Sequence, residues 1–327
     1  MTSSYSSFSH LIIVTTPGLA GGRVVASNLS RRCNVKLKYL LNDPSSICIN
    51  CFHTRLGFKF LDYMFSFFKL SSYIFRFKKI NILAEGIIPA LFVSVIKNIF
   101  FYKDIRLVSR IGRYWNDHEL KFLWFFIFIS SNKIITPLKA NLSHAALSKW
   151  HHKISYVPNP LDIEFHAYTN EVTNRNSYLI IGRAIPQKRL ELAILFAYRL
   201  SKLSSANLVL FLDGNSEYYK KIKRLALDKG FTVYPYVNDL VPFYRNAIVL
   251  INFSHSEGFS MVSYEAAVFG VPTISLQGIS GQNEMISDTG YGVILNSEND
   301  LCEANEFLRN FIYTPKSFDW DFCSNYF

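Results

Sequence analysis

Short runs of adjacent apolar residues recur along this chain and alternate with longer segments of helical spacing. Residues 178–183 (YLIIGR), 207–214 (NLVLFLDG), 248–253 (IVLINF), 271–276 (VPTISL) and 291–295 (YGVIL) are continuous rather than alternating in hydropathy. A strand that is apolar on both sides has to be covered on both faces, which a parallel sheet between two helical layers provides. Residues 186–202, 216–230, 239–247 and 258–270 read as the intervening helices, the first with a proline near its start. The first half repeats the scheme, with strands expected at 11–15, 35–41, 82–84, 105–109, 133–136 and 154–157. A glycine-containing loop at 17–22 leads into a helix at 23–32. The 327 residues suit two domains, and the polar stretch 158–177, with two prolines at its start, marks the join. The expectation is therefore α/β: two Rossmann-like domains, residues 1–165 and 166–327, with parallel sheets facing across a cleft and ligands at the carboxyl ends of the strands.

Charge divides the chain at the same place. Residues 1–165 hold 21 Lys and Arg against 8 Asp and Glu, net +13; residues 166–327 hold 14 against 16, net −2, which together give the overall +11. Within residues 52–79 there are ten Phe or Tyr and six Lys or Arg, with Asp62 the one acid. Basic and aromatic residues together suit an interfacial membrane surface, and equally an ordinary helix with a solvated basic face. None of the apolar stretches reaches the roughly 20 uncharged residues of a spanning helix: 87–102 contains Pro89 and Lys97, 122–129 is short, and 58–77 is broken by Lys59, Asp62, Lys69 and Arg76. The amino-terminal residues lack the basic region of a secretion signal. The five cysteines are irregularly spaced, which argues for reduced thiols, and Cys48-x-x-Cys51 is half a zinc site at most. These features suggest a cytoplasmic protein that touches a membrane without crossing it.

Three segments could carry chemistry. In 182–189 (GRAIPQKR), Arg183 and Lys188 flank a strand-to-helix turn, whose free N–H groups and added cations suit a diphosphate; an ordinary solvated turn fits as well. In 256–260 (SEGFS), Gly258 permits close backbone approach at a helix start. Glu257 and Glu265, eight residues apart, would be separated by about 12 Å along a helix, suiting two contacts with one extended ligand. The third, 157–162 (VPNPLD), is by itself a turn.

Taken in order, VPNPLD, GRAIPQKR, LFLDG, VPFYRNAIVLINFSHSEGFSMVSYEAAVFGVPTIS, GQNEMI and GYGVIL resemble the retaining glycosyltransferases of family 4, which have the GT-B fold, and LAGGRVVASNLSRR resembles that family's first loop and helix. The resemblance implies that Arg183 and Lys188 hold a nucleotide diphosphate, that Glu265 binds ribose and that Glu257 lies beside the donor sugar. Glu257, Arg183 and Lys188 are thus the catalytic candidates. Gly258 and Phe259 would form the loop facing sugar and phosphates, and Gly21 and Gly22 the loop closing over the reacting phosphate. It further implies a UDP- or GDP-sugar donor, no metal or other cofactor, and a lipid-linked or lipopolysaccharide glycan acceptor on the inner face of the plasma membrane, reached through the basic aromatic domain.

The sequence departs from the family in places. Where a histidine is common after a middle strand, the chain reads VSRIGRYWNDHE, with Arg110 and Arg113 and no histidine before His118. Arg189 follows Lys188 where glycine is common, a change expected to have no effect. The closing helix near 317–327 would be short, and Asp319-Trp320-Asp321 spells a D-x-D metal motif in an unusual place. Two other readings remain: a weak or inactive relative that binds membrane or glycan, and a basic nucleic-acid-binding protein. The second lacks any nucleic-acid-binding motif, and the P-loop ending G-K-[ST] is missing as well.

Overall fold

The computed structural model describes residues 9–14, 21–42, 51–54, 59–112, 115, 121–161, 174–235, 237, 239–278, 280–316 and 318. The chain divides into two compact units that part between Pro160 and Leu161.

Unit 1 holds seven strands: β1 (Ser9–Val14), β2 (Lys36–Asn42), β3 (Cys51–Thr54), β4 (Lys79–Glu85), β5 (Asp104–Arg110), β6 (Lys133–Thr136) and β7 (Ile154–Tyr156). They form one sheet in the order β3-β2-β1-β4-β5-β6-β7, and every pairing is parallel. The helices are α1 (Gly21–Arg32), α2 (Lys59–Phe75), α3 (Ile87–Ile99) and α4 (Lys121–Ser130). Successive strands move one way from β1 to β2 and the other way from β3 through β6. Right-handed crossovers therefore put α1 on one face and α2, α3 and α4 on the other. The core is the continuous apolar set that the sequence displayed, Leu11 and Ile13 of β1, Ile80 and Ile82 of β4 and Leu107 of β5 packing on Leu70, Ile74, Val93 and Ile127 of the helices. β3 was not foreseen, because four residues reading CFHT carry too little apolar pattern to announce a strand.

Unit 2 holds β8 (Ser177–Arg183), β9 (Asn207–Asp213), β10 (Thr232–Tyr234), β11 (Ala247–Ile251), β12 (Thr273–Leu276) and β13 (Gly292–Leu295). Their order is β10-β9-β8-β11-β12-β13, again all parallel. The helices are α5 (Leu190–Ser201), α6 (Glu217–Asp228), α7 (Val241–Asn246), α8 (Met261–Val268), α9 (Ser280–Thr289) and α10 (Leu301–Asn310). The Ser216 side chain caps α6 by accepting the Tyr219 N–H at 3.1 Å, as its position before a helical pattern indicates. Two expectations need correction. The helix read from 186 is a single 3-10 turn, Pro186–Lys188, separated from α5 by Arg189, and the helix read from 258 begins at Met261.

Cys33, just after α1, is disulfide-bonded, against the expectation of reduced thiols, and Cys302 is free and exposed. Spacing along a chain does not show which cysteines the fold makes neighbours. Among the described residues no helix is long and apolar enough to cross a membrane, and no group of three His, Cys, Asp or Glu is placed to hold a metal ion.

At the carboxyl edge of the first sheet, Glu85 and Arg110 end the neighbouring strands β4 and β5 in register. Arg110 is 2% exposed, donates from Nη1 to both Glu85 oxygens at 2.6 Å, and donates from Nη2 to the Asn159 side-chain Oδ1. Burial pushes the Glu85 carboxyl above its ordinary range, more than the guanidinium draws it back. Gly112 leaves room for this pair, since a Cβ there would lie 2.9 Å from Arg110 Nη1. Removing one member of a buried ion pair strands the other, so Glu85→Ala should cost about 3–5 kcal/mol. Urea unfolding followed by tryptophan fluorescence checks this, because Trp115, Trp124 and Trp150 all lie in unit 1.

Candidate donor site of the second unit

In unit 2, β8 leads outward to β9 while its other neighbour, β11, leads to β12 in the opposite direction. Their helices consequently cover opposite faces, and a crevice opens at the carboxyl ends of β8 and β11, the place where α/β sheets bind ligands. The segments GRAIPQKR and SHSEGFS leave these two strands. Residues about 70 positions apart in the chain are thereby set side by side.

Arg183 ends β8 and is exposed to solvent. After it the Ala184 N–H donates to the Asp213 carbonyl at 2.7 Å, the chain makes its 3-10 turn, and Arg189 takes φ 45°, ψ 43°. A non-glycine residue in this left-handed region is strained by roughly 1–2 kcal/mol. The backbone thus explains why glycine suits this position, and it corrects the expectation that arginine is without effect. Contacts to the other loop hold the turn. The His255 N–H donates to the Gln187 carbonyl at 2.7 Å, Gln187 Nε2 donates to the Ser256 carbonyl at 2.8 Å, and Arg189 Nη2 meets His255 Nδ1 at 2.6 Å.

Lys188 and Glu257 form an ion pair between the two loops, with side chains 17% and 13% exposed. Both were read as donor-site residues, and the structure joins them directly. A diphosphate reaching Lys188 meets a cation already engaged by a carboxylate. Glu257 stands in the loop ahead of α8, so the helical rise of about 12 Å used in the sequence reading does not describe its separation from Glu265.

The start of α9 buttresses the second loop. The Gly281 N–H donates to the Glu257 carbonyl at 3.1 Å, and a Cβ at Gly281 would overlap the carbonyl oxygens of Glu257 and Gly258. Beneath them lies a buried polar network. Gln282 Nε2 donates to the Asn252 carbonyl at 2.9 Å, Asn252 Nδ2 donates to Ser260 Oγ at 3.1 Å, and Ser260 shares a hydrogen bond with Ser263 at 2.8 Å. Phe259 is buried, its ring stacked on Tyr264 at 4.2 Å. Glu265, on α8, accepts a hydrogen bond from the Tyr244 hydroxyl at 2.9 Å. Tyr244 is fully buried and stacked on Phe269, and burial together with the Glu265 carboxylate pushes its phenol well above the usual range. Sequence reasoning assigned nothing to Tyr244, Gln187 or Gly281; the GQNEMI segment was noted, but no pattern in it shows which atoms it would touch.

In unit 1, Gly21 and Gly22 are the first residues of α1. The rest of their loop, 15–20, lies outside the described residues, as do Arg113, His118, Asp162, Cys48 and the tail with Asp319-Trp320-Asp321. Arg110, noted where a histidine is common, is committed to Glu85 and Asn159.

Two all-parallel sheets, one with a crevice at its switch point lined by cations and carboxylates, make a protein of two Rossmann-like α/β units. Comparison with known proteins narrows this: residues 162–312 match the family described as glycosyl transferases group 1. An uncharacterised glycosyltransferase of Methanocaldococcus jannaschii is 26% identical over 199 residues, 51% of this chain and 54% of that protein. The amylovoran biosynthesis glycosyltransferase AmsD of Erwinia amylovora is 27% identical over 174 residues, 50% of this chain and 47% of that protein. The chain thus spans about half the length of the curated relatives it matches. Among solved structures, the apo lipopolysaccharide outer core galactosyltransferase WaaB aligns with a TM-score of 0.65 at 16% identity, covering 92% of this chain and 90% of that one. Anabaena HepE in complex with UDP and glucose aligns at 0.70 and 13% identity, covering 92% and 88%. At these identities the structures share the fold.

Gly281→Ala should push α9 off the 257–258 segment and destabilise unit 2 by about 1–3 kcal/mol, the usual range for overpacking. Thermal or urea unfolding reads the loss, with Gly278→Ala, where a Cβ meets nothing within 4 Å but φ is 93°, as a variant strained without the clash.

Proposed function

We propose that the chain is a retaining glycosyltransferase that transfers a sugar from a UDP- or GDP-sugar to a membrane-associated glycan acceptor, in lipopolysaccharide, O-antigen, capsule or other lipid-linked glycan synthesis. The observation that carries this reading is the meeting of Lys188 and Glu257 at the carboxyl ends of β8 and β11, with Arg183 on the same turn as Lys188. The complex of HepE with UDP and glucose supports a nucleotide-sugar donor, and the names of WaaB and AmsD support a glycan product. In this reading the leaving diphosphate binds Arg183 and Lys188 together with backbone N–H groups of the turn and of the loop ahead of α8, at Gly258 and Phe259. Fixed donors placed where charge develops stabilise it without a metal ion. Lys188 exchanges Glu257 for phosphate as the donor enters, and the released carboxylate lies beside the sugar. Glu265, oriented by Tyr244, takes the ribose diol. Attack from the face of the departing phosphate needs no separate base. The basic aromatic unit 1 rests on the anionic inner face of the plasma membrane.

A thermal-shift screen of UDP, GDP and their sugars identifies the nucleotide, since a bound donor stabilises the fold by mass action. Lys188→Ala and Glu265→Ala should each lower kcat/KM for the identified donor by about 100-fold or more; full activity in both variants overturns the site. Tyr244→Phe should keep kcat and raise the donor KM about 5- to 10-fold, the equivalent of one lost hydrogen bond of about 1 kcal/mol.

A further inference from the structure

The helices on one face of the first sheet bury their inner sides and leave large apolar side chains on the outer one. α2 exposes Leu61, Met64, Phe65 and Phe68 at helical spacing, while Leu70 and Ile74 are buried in the core. The turn after α3 adds Phe101, 84% exposed, and Tyr102; α4 adds Phe122, 82% exposed, with Phe125 and Ile129. These side chains belong to one packed layer. Tyr63 and Phe67 of α2 meet Phe92 of α3 edge-on, with ring centres 6.1 and 5.4 Å apart. Phe75 at the end of α2 meets Phe100 at 5.7 Å, and Lys103 Nζ bonds the carbonyl of Phe75 at 2.6 Å. Lys97 and Asn98 of α3 donate to Ser130 at the end of α4 at 2.8 and 3.0 Å. Contiguous apolar exposure on this scale marks an interaction site.

Charge decides the occupant. Lys69, Arg76, Lys78 and Lys79 are exposed along and beside α2, whereas its acid, Asp62, is buried. Asp104, the exposed acid nearby, is ion-paired to Lys79 at 3.2 Å. A second copy of the chain would bring these cations against their own kind. An anionic bilayer offers phosphates to the cations and an acyl boundary to the rings. We propose that the outer side of the α2, α3 and α4 layer, together with the 99–103 turn, is the membrane-docking face. Phe68, Phe101 and Phe122 insert beneath anionic headgroups, and Lys69, Arg76 and Lys78 lie among them. The proposal rests on the membrane reading above and extends it to α4 and the α3–β5 turn, which lie outside the basic aromatic segment of the sequence.

The test is sedimentation of the full chain with phosphatidylglycerol–phosphatidylcholine vesicles. The combined variant Phe68→Ser, Phe101→Ser and Phe122→Ser should bind about tenfold or more weakly and keep the thermal shift with nucleotide of the unaltered protein, which shows that it folds. As a second measurement, Phe101→Trp should give a blue-shifted emission on these vesicles and none on phosphatidylcholine alone. Unaltered binding by the combined variant overturns the face while leaving the membrane reading in place. If the unaltered protein itself does not sediment with anionic vesicles, both fail; a dimer in analytical ultracentrifugation that the combined variant dissolves then assigns the surface to self-association.

Discussion

In an all-parallel sheet each strand has to be returned to the same end before the next can pair, so every connection is a crossover and the loops leaving the strands collect along one edge. The apolar strands impose this arrangement in both units, and the geometry of each site follows from it. In unit 2, β8 pairs with β11 through Tyr178–Val249 and Leu179–Leu250, so the two loops following them meet however far apart they are in the chain. In unit 1 the same reversal of direction falls between β1 and β4, with the Gly21 helix after one and Glu85 after the other.

Once these loops are adjacent, their polar groups organise one another. Backbone and side-chain bonds from Gln187 to His255 and Ser256, the Arg189–His255 contact and the Lys188–Glu257 pair fasten the β8 turn to the β11 loop. The Gly281 contact and the Asn252–Ser260–Gln282 network fix the β11 loop from beneath. The turn after β8 is thereby held on three sides. The left-handed Arg189 is the local conformational cost of this turn, and its bond to His255 offsets part of it.

Strands were the most legible part of the fold, because adjacent apolar residues mean burial on both faces wherever they occur; β6 was read to the residue, and β8 and β9 within one. Helix starts were less legible. The proline and glycine cues pointed to 186 and 258, but the backbone turns once more before α5 and α8, and α9, whose sequence SGQNEMISDT has little apolar periodicity, was not read as a helix. The residues of the candidate site could be nominated from their motifs. Their partners could not: Glu85 and Arg110 are 25 residues apart, Tyr244 and Glu265 21, and Lys188 and Glu257 69.

Local hydropathy and spacing are enough to specify parallel sheets in two units, where the charge is concentrated and which short motifs carry the candidate site residues. All of these are properties of composition and local spacing. Long-range packing sets the rest: Lys188 faces Glu257, Tyr244 holds Glu265, Arg110 is locked between Glu85 and Asn159, and Phe65, Phe68, Phe122 and Phe125 of α2 and α4 lie exposed on one helical layer. Hydrogen bonds and ion pairs between segments depend on strand order and crossover direction, which local hydropathy does not encode, and side-chain exposure depends on which neighbours the sheet places against each helix.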